Sequence, residues 1–239
     1  KDTKTIKYLC IMEHTKVNIR QLEIADIERF IGQIGEKSFR VKQIHEWLWQ
    51  KHAHSFDEMT NLSKDLRQQL EASFTLPALT LNTTLLSVDG TLKTRFETFD
   101  HHMIEGVLIP TSERKTACVS SQIGCSLSCK FCATGYMERK RNLSYDEIYD
   151  QVVMINQQSE KLHEKSLSNI VFMGMGEPLL NYANVMQSID NKTFLISVNL
   201  KMNLRQFSRK DFHFHNGRNF LIQNMINRIY NRNFNIVFF

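Results

Sequence analysis

Hydrophobic positions in the first third of the chain recur at intervals of three and four residues, the spacing of one face of an α-helix. Three such series predict three helices, which end near Gly35, Lys51 and Pro77. The apolar positions of the three series are Ile27, Phe30, Ile31 and Ile34 in the first, Val41, Ile44 and Leu48 in the second, and Leu62, Leu66 and Leu70 in the third. The segment Ser55–Glu58 has the form of a capping box ahead of the third helix. Residues 1–78 are therefore predicted to form a small helical domain.

From Leu79 to Pro110 the pattern changes to an alternation of period two, which is typical of strands. Residues 85–96 predict two strands joined by a two-residue hairpin turn at Asp89-Gly90. Residues 103–109 predict a further strand. This part of the chain is expected to form a β-hairpin extension.

The pattern then becomes that of a βαβ unit. Residues 117–122 predict a short strand, Ser144–Glu147 has the form of a capping box at the start of a helix, and residues 169–173 predict a buried strand that leads into Gly174–Pro178. The helix has an apolar face formed by Ile148, Val152 and Ile155. The order strand, helix, strand predicts a parallel sheet with helices outside it, so the fold class is α/β and this domain covers residues 79–190.

After about Asp190 the composition changes. Residues 191–239 contain ten Asn and eight Phe, no Glu, Ala or Pro, and eight basic residues against one acidic residue, a net charge of +7. The remaining 190 residues carry 22 basic and 24 acidic side chains, a net charge of −2. A basic aromatic tail suits an RNA-binding arm. The abrupt change favours another interpretation, a reading-frame shift or a gene fragment, and predicts a poorly ordered, non-cognate tail.

Bulk composition limits the class of protein. The chain has 42% hydrophobic residues, which is typical of a globular protein, and it shows neither an apolar run near 18 residues nor an apolar leader. This composition predicts a cytoplasmic protein with no membrane partner, and we expect a monomer if the chain folds. Five cysteines are too few for a disulfide scaffold in a chain of 239 residues. Four of them fall between Cys118 and Cys132, which indicates cofactor or redox chemistry in a reducing compartment.

Cys125, Cys129 and Cys132 have the spacing CxxxCxxC. Three thiolates can hold a [4Fe–4S] cluster and leave one iron open, and the amino and carboxylate groups of S-adenosylmethionine can chelate that iron. The alternatives are a zinc site completed by a histidine such as His101 or His102, or simply buried thiols.

Four segments together resemble the radical-SAM adenine-C2 RNA methyltransferases: residues 118–135, 171–181, 39–49 and 55–63. The resemblance extends from about Leu22 to Ile189. It implies a helical accessory domain that contacts RNA, a β-hairpin extension and the first half of a (β/α) barrel. It also implies methylation of adenosine C2 in 23S rRNA and tRNA, and an electron donor such as flavodoxin.

The resemblance also assigns roles to individual residues. Cys125, Cys129 and Cys132 would hold the [4Fe–4S] cluster, and S-adenosylmethionine would chelate its free iron. Gly176 and Glu177 match the segment that receives the amino end of S-adenosylmethionine. Cys118 matches a non-cluster cysteine with a direct catalytic part, the resolution of a protein–RNA crosslink. Glu105 matches a proton acceptor.

The chain departs from that family in one respect that matters for chemistry. The family carries the methyl group on a cysteine far beyond the region equivalent to Asp190, and no cysteine follows Cys132 in this sequence. Three hypotheses stay open. The chain is a truncated methyltransferase that is inactive alone, another radical-SAM enzyme that needs no carrier cysteine, or a non-catalytic fragment that binds a cluster or RNA.

Overall fold

The structure is a computed structural model that describes residues 16–190 and 236–237. The chain divides into two compact units, Lys1–Leu79 and Thr80–Phe239. Apart from residues 236–237, the predicted tail lies outside the described residues, and so does Cys10. The expectation of a poorly ordered tail therefore stays a prediction.

The described part of the first unit contains three α-helices: α1 (Ile24–Gln33), α2 (Phe39–Trp49) and α3 (Lys64–Ser73). Two 3-10 helices, Ile19–Gln21 and Phe56–Glu58, precede α1 and α3. Two short strands that the sequence did not suggest, β1 (Val17–Asn18) and β2 (Phe74–Thr75), pair in parallel.

The apolar series of the three helices form the core of this unit. Their members Ile27, Ile31, Ile44, Leu48, Leu66 and Leu70 are at most 3% exposed. The rings of Phe30 and Phe74 pack edge to face with their centroids 4.8 Å apart. The helical periodicity therefore predicted the buried faces correctly, because burial of these faces stabilises the helices more than intrinsic helix propensity does.

The start of α3 differs from the expectation. Its cap is Ser63, whose Oγ accepts a hydrogen bond from the Leu66 N–H at 3.2 Å. The carboxylate of Glu58 instead accepts from the His54 N–H and the Ser55 hydroxyl, within a separate 3-10 turn. The capping-box pattern at Ser55 therefore marks this turn and lies eight residues ahead of the α-helix cap.

The second unit contains eight strands and two α-helices among the described residues. The strands are β3 (Thr80–Leu86), β4 (Leu92–Glu97), β5 (Met103–Pro110), β6 (Lys115–Cys118), β7 (Gln122–Ile123), β8 (Arg141–Asn142), β9 (Asn169–Val171) and β10 (Ile236–Val237). The helices are α4 (Tyr145–His163) and α5 (Tyr182–Asp190). Six strands form one sheet in the order β10-β9-β6-β5-β4-β3, and β7 pairs with β8 separately.

This sheet is mixed, whereas the βαβ pattern alone predicted a parallel one. The strands β3 to β6 pair antiparallel, because short loops join them in sequence. The pairs β6–β9 and β9–β10 are parallel, and α4 lies between β6 and β9 in sequence, as the βαβ prediction required. The predicted hairpin extension thus continues the same sheet.

The hairpin loop is longer than predicted. Five residues, 87–91, separate β3 from β4. The Asp89 carboxylate accepts from the Thr91 N–H at 3.0 Å, Ser87 N–H donates to the Thr91 carbonyl, and Gly90 has a positive φ of 83°. The Asp-Gly pair therefore does form the turn, but inside a wider loop.

Helix α4 covers one face of the sheet and begins at the predicted capping box of Ser144 and Glu147. Ile104, Leu108 and Ala117 are fully buried, and a Cβ on Gly106 would lie 2.9 Å from Ile155 Cδ1 of α4, so Gly106 lets the helix approach β5. Side chains alternate across a strand, so Glu105 lies on the opposite face. No helix that the structure describes is long and apolar enough to cross a membrane.

Candidate active site

The cysteine loop, residues 124–140, connects β7 to β8. Ile123 pairs with Arg141 and Gln122 pairs with Asn142, and the Lys140 N–H donates to the Ile123 carbonyl at 2.8 Å. Gly124 has φ +72°, and a Cβ there would overlap the Glu138 carbonyl oxygen. The two ends of the loop are therefore fixed against each other.

Cys125, Cys129 and Cys132 are free thiols on this loop and are partly exposed. The Cys132 N–H donates to the Cys129 carbonyl at 3.1 Å, and the Gly135 N–H donates to the Cys132 carbonyl at 2.9 Å. Gly135 is needed because a Cβ would lie 2.6 Å from the Cys129 oxygen. Hydrogen bonding from the Gly135 N–H lowers the pKa of the Cys132 thiol, which favours the thiolate.

The three thiols are accessible and lie on one tightly folded loop, and thiolates are the type of ligand that an iron–sulfur cluster requires. His101 and His102, the histidines of the zinc alternative, lie 2.8 Å from Glu97 and 3.9 Å from Asp100 respectively. Across residues 16–190 and 236–237, no group of three or more His, Cys, Asp or Glu side chains is placed to hold a metal ion. The case for the cluster thus rests on the number, spacing and accessibility of the thiols.

The glycine segment, residues 174–178, lies beside the strand residues that precede the cysteine loop. The Gly174 N–H donates to the Val119 carbonyl at 3.1 Å, and the Met175 carbonyl accepts from both Ser121 N–H (2.9 Å) and Gln122 N–H (3.1 Å). These bonds extend the parallel pairing of β6 and β9 past the ends of both strands. The glycine segment and the base of the cysteine loop therefore lie side by side.

Gly176 and Glu177 are held by the loop base. Gly176 has φ +90°, and a Cβ there would overlap the side chain of Gln122. The Glu177 N–H donates to Gln122 Oε1 at 2.9 Å, and Glu177 Oε1 accepts from the Leu179 N–H at 3.0 Å at the start of the 3-10 helix Pro178–Asn181. Both residues are partly exposed, so a ligand can reach them.

A buried polar cluster behind the site was missed by the sequence interpretation. Ser120 Oγ donates to the Glu105 carbonyl at 2.6 Å and accepts from the Met175 N–H at 2.8 Å. The side-chain amide of Gln151 bonds both backbone groups of Ser120 at 2.8 and 3.0 Å. The sequence does contain an indication of this cluster, because three consecutive polar residues, Ser120, Ser121 and Gln122, follow a buried strand. Buried polar groups at such a position need hydrogen-bond partners.

Cys118 and Glu105 lie on the face of the sheet opposite α4. Cys118 pairs with Val107, two residues from Glu105, so the three side chains share a face. Burial raises the pKa of the Cys118 thiol. The Glu105 carboxylate forms an ion pair with Lys93, Oε2 to Nζ 2.7 Å. The structure thus places these two residues on one face of the sheet, and Ser120 links the backbone of Glu105 to the glycine segment.

A mixed α/β fold with a three-cysteine loop beside a glycine-rich strand end is consistent with the radical-SAM class. A solved structure, a radical SAM methyltransferase from Sphaerobacter thermophilus, is similar to this chain with a TM-score of 0.64 and 38% identity. The similarity covers 75% of this chain and 52% of that one. Residues 17–76 match the family model of the ribosomal RNA large subunit methyltransferase N-terminal domain.

Curated relatives agree with this class. The chain is 51% identical over 191 residues to the probable dual-specificity RNA methyltransferase RlmN of Cytophaga hutchinsonii, covering 78% of this chain and 52% of the relative. It is 50% identical over 186 residues to the protein of the same name from Christiangramia forsetii, covering 78% and 53%. The chain is thus similar to this family of RNA methyltransferases, as its motifs indicated, and spans about half the length of the curated relatives that it matches.

Proposed function

We propose that this chain is part of a radical-SAM methyltransferase that acts on C2 of adenosine in 23S rRNA and tRNA. The observation that carries the proposal is the pairing of Ser121 and Gln122 with Met175, which sets the cysteine loop beside the glycine segment. Ligands in open α/β sheets bind beyond the carboxyl ends of parallel strands, and both segments follow such ends. The sheet would be the first half of a (β/α) barrel.

In this proposal the thiolates of Cys125, Cys129 and Cys132 hold a [4Fe–4S] cluster. When bound, the cluster and S-adenosylmethionine supply one-electron reductive chemistry that no side chain can supply. The protein contributes a loop closed by β7 and β8 and a thiol of lowered pKa at Cys132, which favours metal binding because thiolates are the ligating form.

Gly176 and Glu177 would bind the amino end of S-adenosylmethionine. Gly176 turns the backbone at a positive φ, and Glu177 places a carboxylate at the same point. A carboxylate attracts an ammonium group, and the hydrogen bond from the Leu179 N–H to Glu177 Oε1 limits its rotation. The segment therefore supplies a charge and an orientation for the cofactor.

Cys118 and Glu105 would act on the RNA base. Adenine C2 is electron-poor and carries a hydrogen that must leave as a proton once a carbon is attached, so an acceptor is needed. Glu105 supplies a carboxylate on the face of the sheet opposite α4, held by Lys93. The raised pKa of Cys118 keeps its thiol protonated at neutral pH, which protects it from premature oxidation before it resolves the crosslink.

The first unit would contact RNA. Lys51 Nζ lies 4.2 Å from the centroid of the Trp47 ring, and Arg40 lies over the Phe39 ring, which is 51% exposed. Basic groups beside aromatic rings suit phosphate contact and base stacking. An electron donor such as flavodoxin is the second partner that we propose, because the cluster chemistry consumes an electron.

Anaerobic reconstitution with iron and sulfide tests the cluster. We expect the chain of residues 1–239 to take up four iron atoms and show the broad absorbance of a [4Fe–4S] cluster, and Cys129→Ser to take up much less. Cys118→Ser is the matched control and should retain the cluster, because Cys118 lies outside the loop. Retention of zinc without uptake of iron would refute the proposal.

The open hypotheses separate in one further assay. Reduced, reconstituted protein is mixed with S-adenosylmethionine, and 5′-deoxyadenosine is measured with and without RNA. Release of 5′-deoxyadenosine by residues 1–239 alone would favour another radical-SAM enzyme that needs no carrier cysteine. RNA binding with an intact cluster but without any cleavage would favour a non-catalytic fragment.

A further inference from the structure

We propose that Gln122 is a positioning residue that ties the glycine segment to the cysteine loop, so that the two binding elements move as one. The inference rests on the proposed function for its consequence, since it concerns how S-adenosylmethionine is set relative to the cluster. Its structural part, a bridge formed by one side-chain amide, stands on the contacts alone.

The side chain of Gln122 is fully buried and uses both ends of its amide. Oε1 accepts from the Glu177 N–H at 2.9 Å, and Nε2 donates to Asn142 Oδ1 at 2.7 Å. Asn142 in turn donates through Nδ2 to the Leu180 carbonyl at 3.2 Å. One path of hydrogen bonds therefore runs from the glycine segment through β7 to β8 and back to the 3-10 helix that follows Glu177.

This path of hydrogen bonds connects the base of the cysteine loop, which would hold the cluster, with Glu177, which would bind S-adenosylmethionine. Gln122 and Asn142 form the pair that closes the base of the cysteine loop, as they lie opposite each other in the β7–β8 ladder. Glu177 carries the carboxylate proposed to receive the amino group of the cofactor. A displacement of the loop base would therefore displace this carboxylate, and a displacement of the carboxylate would displace the loop base.

The residue type is specific to this task. A bridge of this kind needs an acceptor for the Glu177 N–H and a donor for Asn142 Oδ1 on one side chain, and a primary amide provides both. A glutamate at position 122 would keep the acceptor and lose the donor. A methionine would keep the volume and lose both, leaving the partly buried Glu177 N–H without this partner, which is costly.

Gly176 is the counterpart of Gln122. Its missing Cβ makes room for the Cβ and Cγ of Gln122, and a Cβ there would lie 2.6 Å from Gln122 Cγ. The packing holds the Gln122 side chain in the one direction that reaches Glu177. The glycine is therefore needed at this position for contact with Gln122 as well as for its positive φ.

Hydrogen–deuterium exchange on the chain of residues 1–239 tests the bridge without any cofactor. We expect Gln122→Met to accelerate exchange of the Glu177 amide about tenfold and to raise exchange across residues 124–140. Asn142→Ala, at a less buried position, should accelerate residues 124–140 and affect Glu177 less. Gln158→Met is the matched control, because Gln158 bonds Thr94 far along α4 from this bridge. Unchanged protection at Glu177 in Gln122→Met would overturn the bridge.

The consequence for the cofactor is tested on reconstituted protein. We expect Gln122→Met to retain its iron, to bind S-adenosylmethionine about tenfold more weakly, and to weaken the change that the cofactor produces in the electron paramagnetic resonance spectrum of the reduced cluster. Gln122→Glu should fall between wild type and Gln122→Met. A merely structural role would lower iron content and stability while leaving cofactor affinity per cluster unchanged, and that result would refute the positioning role.

The two proposals fail in different ways. If the wild-type chain takes up no iron or binds no S-adenosylmethionine, the proposed function fails, and the exchange experiment still decides whether the bridge exists. If wild type binds both and Gln122→Met binds the cofactor equally well, only the positioning role is wrong.

Discussion

Arg141 pairs with both oxygens of the Asp100 carboxylate, Nε to Oδ2 at 2.7 Å and Nη2 to Oδ1 at 2.7 Å. The same guanidinium bonds both oxygens of Glu147, at 2.7 and 2.8 Å. Asp100 lies in the turn between β4 and β5, and Glu147 lies in the first turn of α4. Arg141 is the first residue of β8, so this one side chain joins the end of the cysteine loop to the sheet and to a helix.

Replacing Arg141 should therefore destabilise the second unit. Glu147 is only 6% exposed and would lose its cation, and unpaired buried carboxylates are costly. We expect Arg141→Ala to lower the free energy of unfolding by about 2–3 kcal/mol, measured by urea denaturation. Lys140→Ala, which removes an exposed ion pair with Glu138, is the control and should leave the midpoint nearly unchanged. Equal midpoints for both variants would contradict the assigned role.

The same contact makes stability depend on acid. Hydrogen bonding from Arg141 holds the pKa of the Asp100 carboxyl well below its ordinary value of 3.8. A lowered carboxyl pKa contributes stability above the unfolded-state pKa, and this contribution is lost as the pH falls through the range below about 4. We expect Asp100→Asn to flatten the fall in unfolding free energy between about pH 4 and pH 2. Asp57→Asn, at a carboxylate that is 89% exposed, is the control variant.

Two glycines give a matched pair of substitutions. Gly176→Ala introduces a Cβ that overlaps Gln122 at a φ of +90°, so we expect loss of stability and of S-adenosylmethionine binding. Gly32→Ala adds a methyl group to an exposed position of α1 with nothing within 4 Å. It should stabilise the chain by about 0.5–1 kcal/mol, because alanine favours helices. Thermal unfolding and cofactor titration of both variants measure the contrast, and a tolerated Gly176→Ala would refute the packing argument.

Local patterns predicted those parts of the fold that depend on local forces. The faces containing Ile27 and Ile31 repeat every three or four residues, and the capping box of Ser144 and Glu147 lies in four consecutive residues, so both could be found from sequence. The pairing of β1 with β2 could not, because two-residue strands leave no periodic signal and their partners lie 57 residues apart. The mixed sheet was missed for a related reason, since strand direction depends on the loops and not on the alternation.

The candidate site was predicted unevenly. The spacing of the three loop cysteines indicates cluster chemistry, and the family resemblance implies the role of Gly176 and Glu177. Gln122 and Ser120, in contrast, act through a buried amide and a buried hydroxyl that only tertiary contact reveals. Lys93, the ion-pair partner of Glu105, lies on the neighbouring strand two positions off register and has no signal of its own. The sequence therefore suggests candidate binding residues, whereas the residues that contact and position them become visible only in the structure.

Cysteine reactivity should separate Cys118 from the loop cysteines. Cys118 is 8% exposed and burial raises its pKa, so little thiolate forms at neutral pH. In protein without a cluster, we expect iodoacetamide to modify Cys125, Cys129 and Cys132 at least ten times faster than Cys118, measured by peptide mass spectrometry over time. Urea should abolish the difference. Rapid labelling of Cys118 in the folded protein would show that its surroundings are open, and would contradict the protected thiol of the proposed function.

The last prediction concerns methyl transfer by residues 1–239 alone. The family resemblance implies that the methyl group first resides on a cysteine near the carboxyl end of the barrel, and the sequence has no cysteine after Cys132. Three of the five cysteines are proposed cluster ligands, and Cys118 cannot act both as the carrier and as the thiol that resolves the crosslink. We therefore expect no 2-methyladenosine from this polypeptide, even with a complete cluster, a reductant and excess S-adenosylmethionine.

Mass spectrometry of nucleosides from 23S rRNA and tRNA measures this outcome. The control is a chimera in which residues 1–189 are followed by the remaining part of a relative such as the Cytophaga hutchinsonii protein, in which the family resemblance implies the later cysteine. We expect the chimera to methylate, and the same chimera with Cys118→Ala to accumulate protein–RNA crosslink, because the resolving thiol is missing. If residues 1–239 alone yield 2-methyladenosine, Cys118 or Cys10 must carry the methyl group, and the roles proposed for the cysteines are wrong.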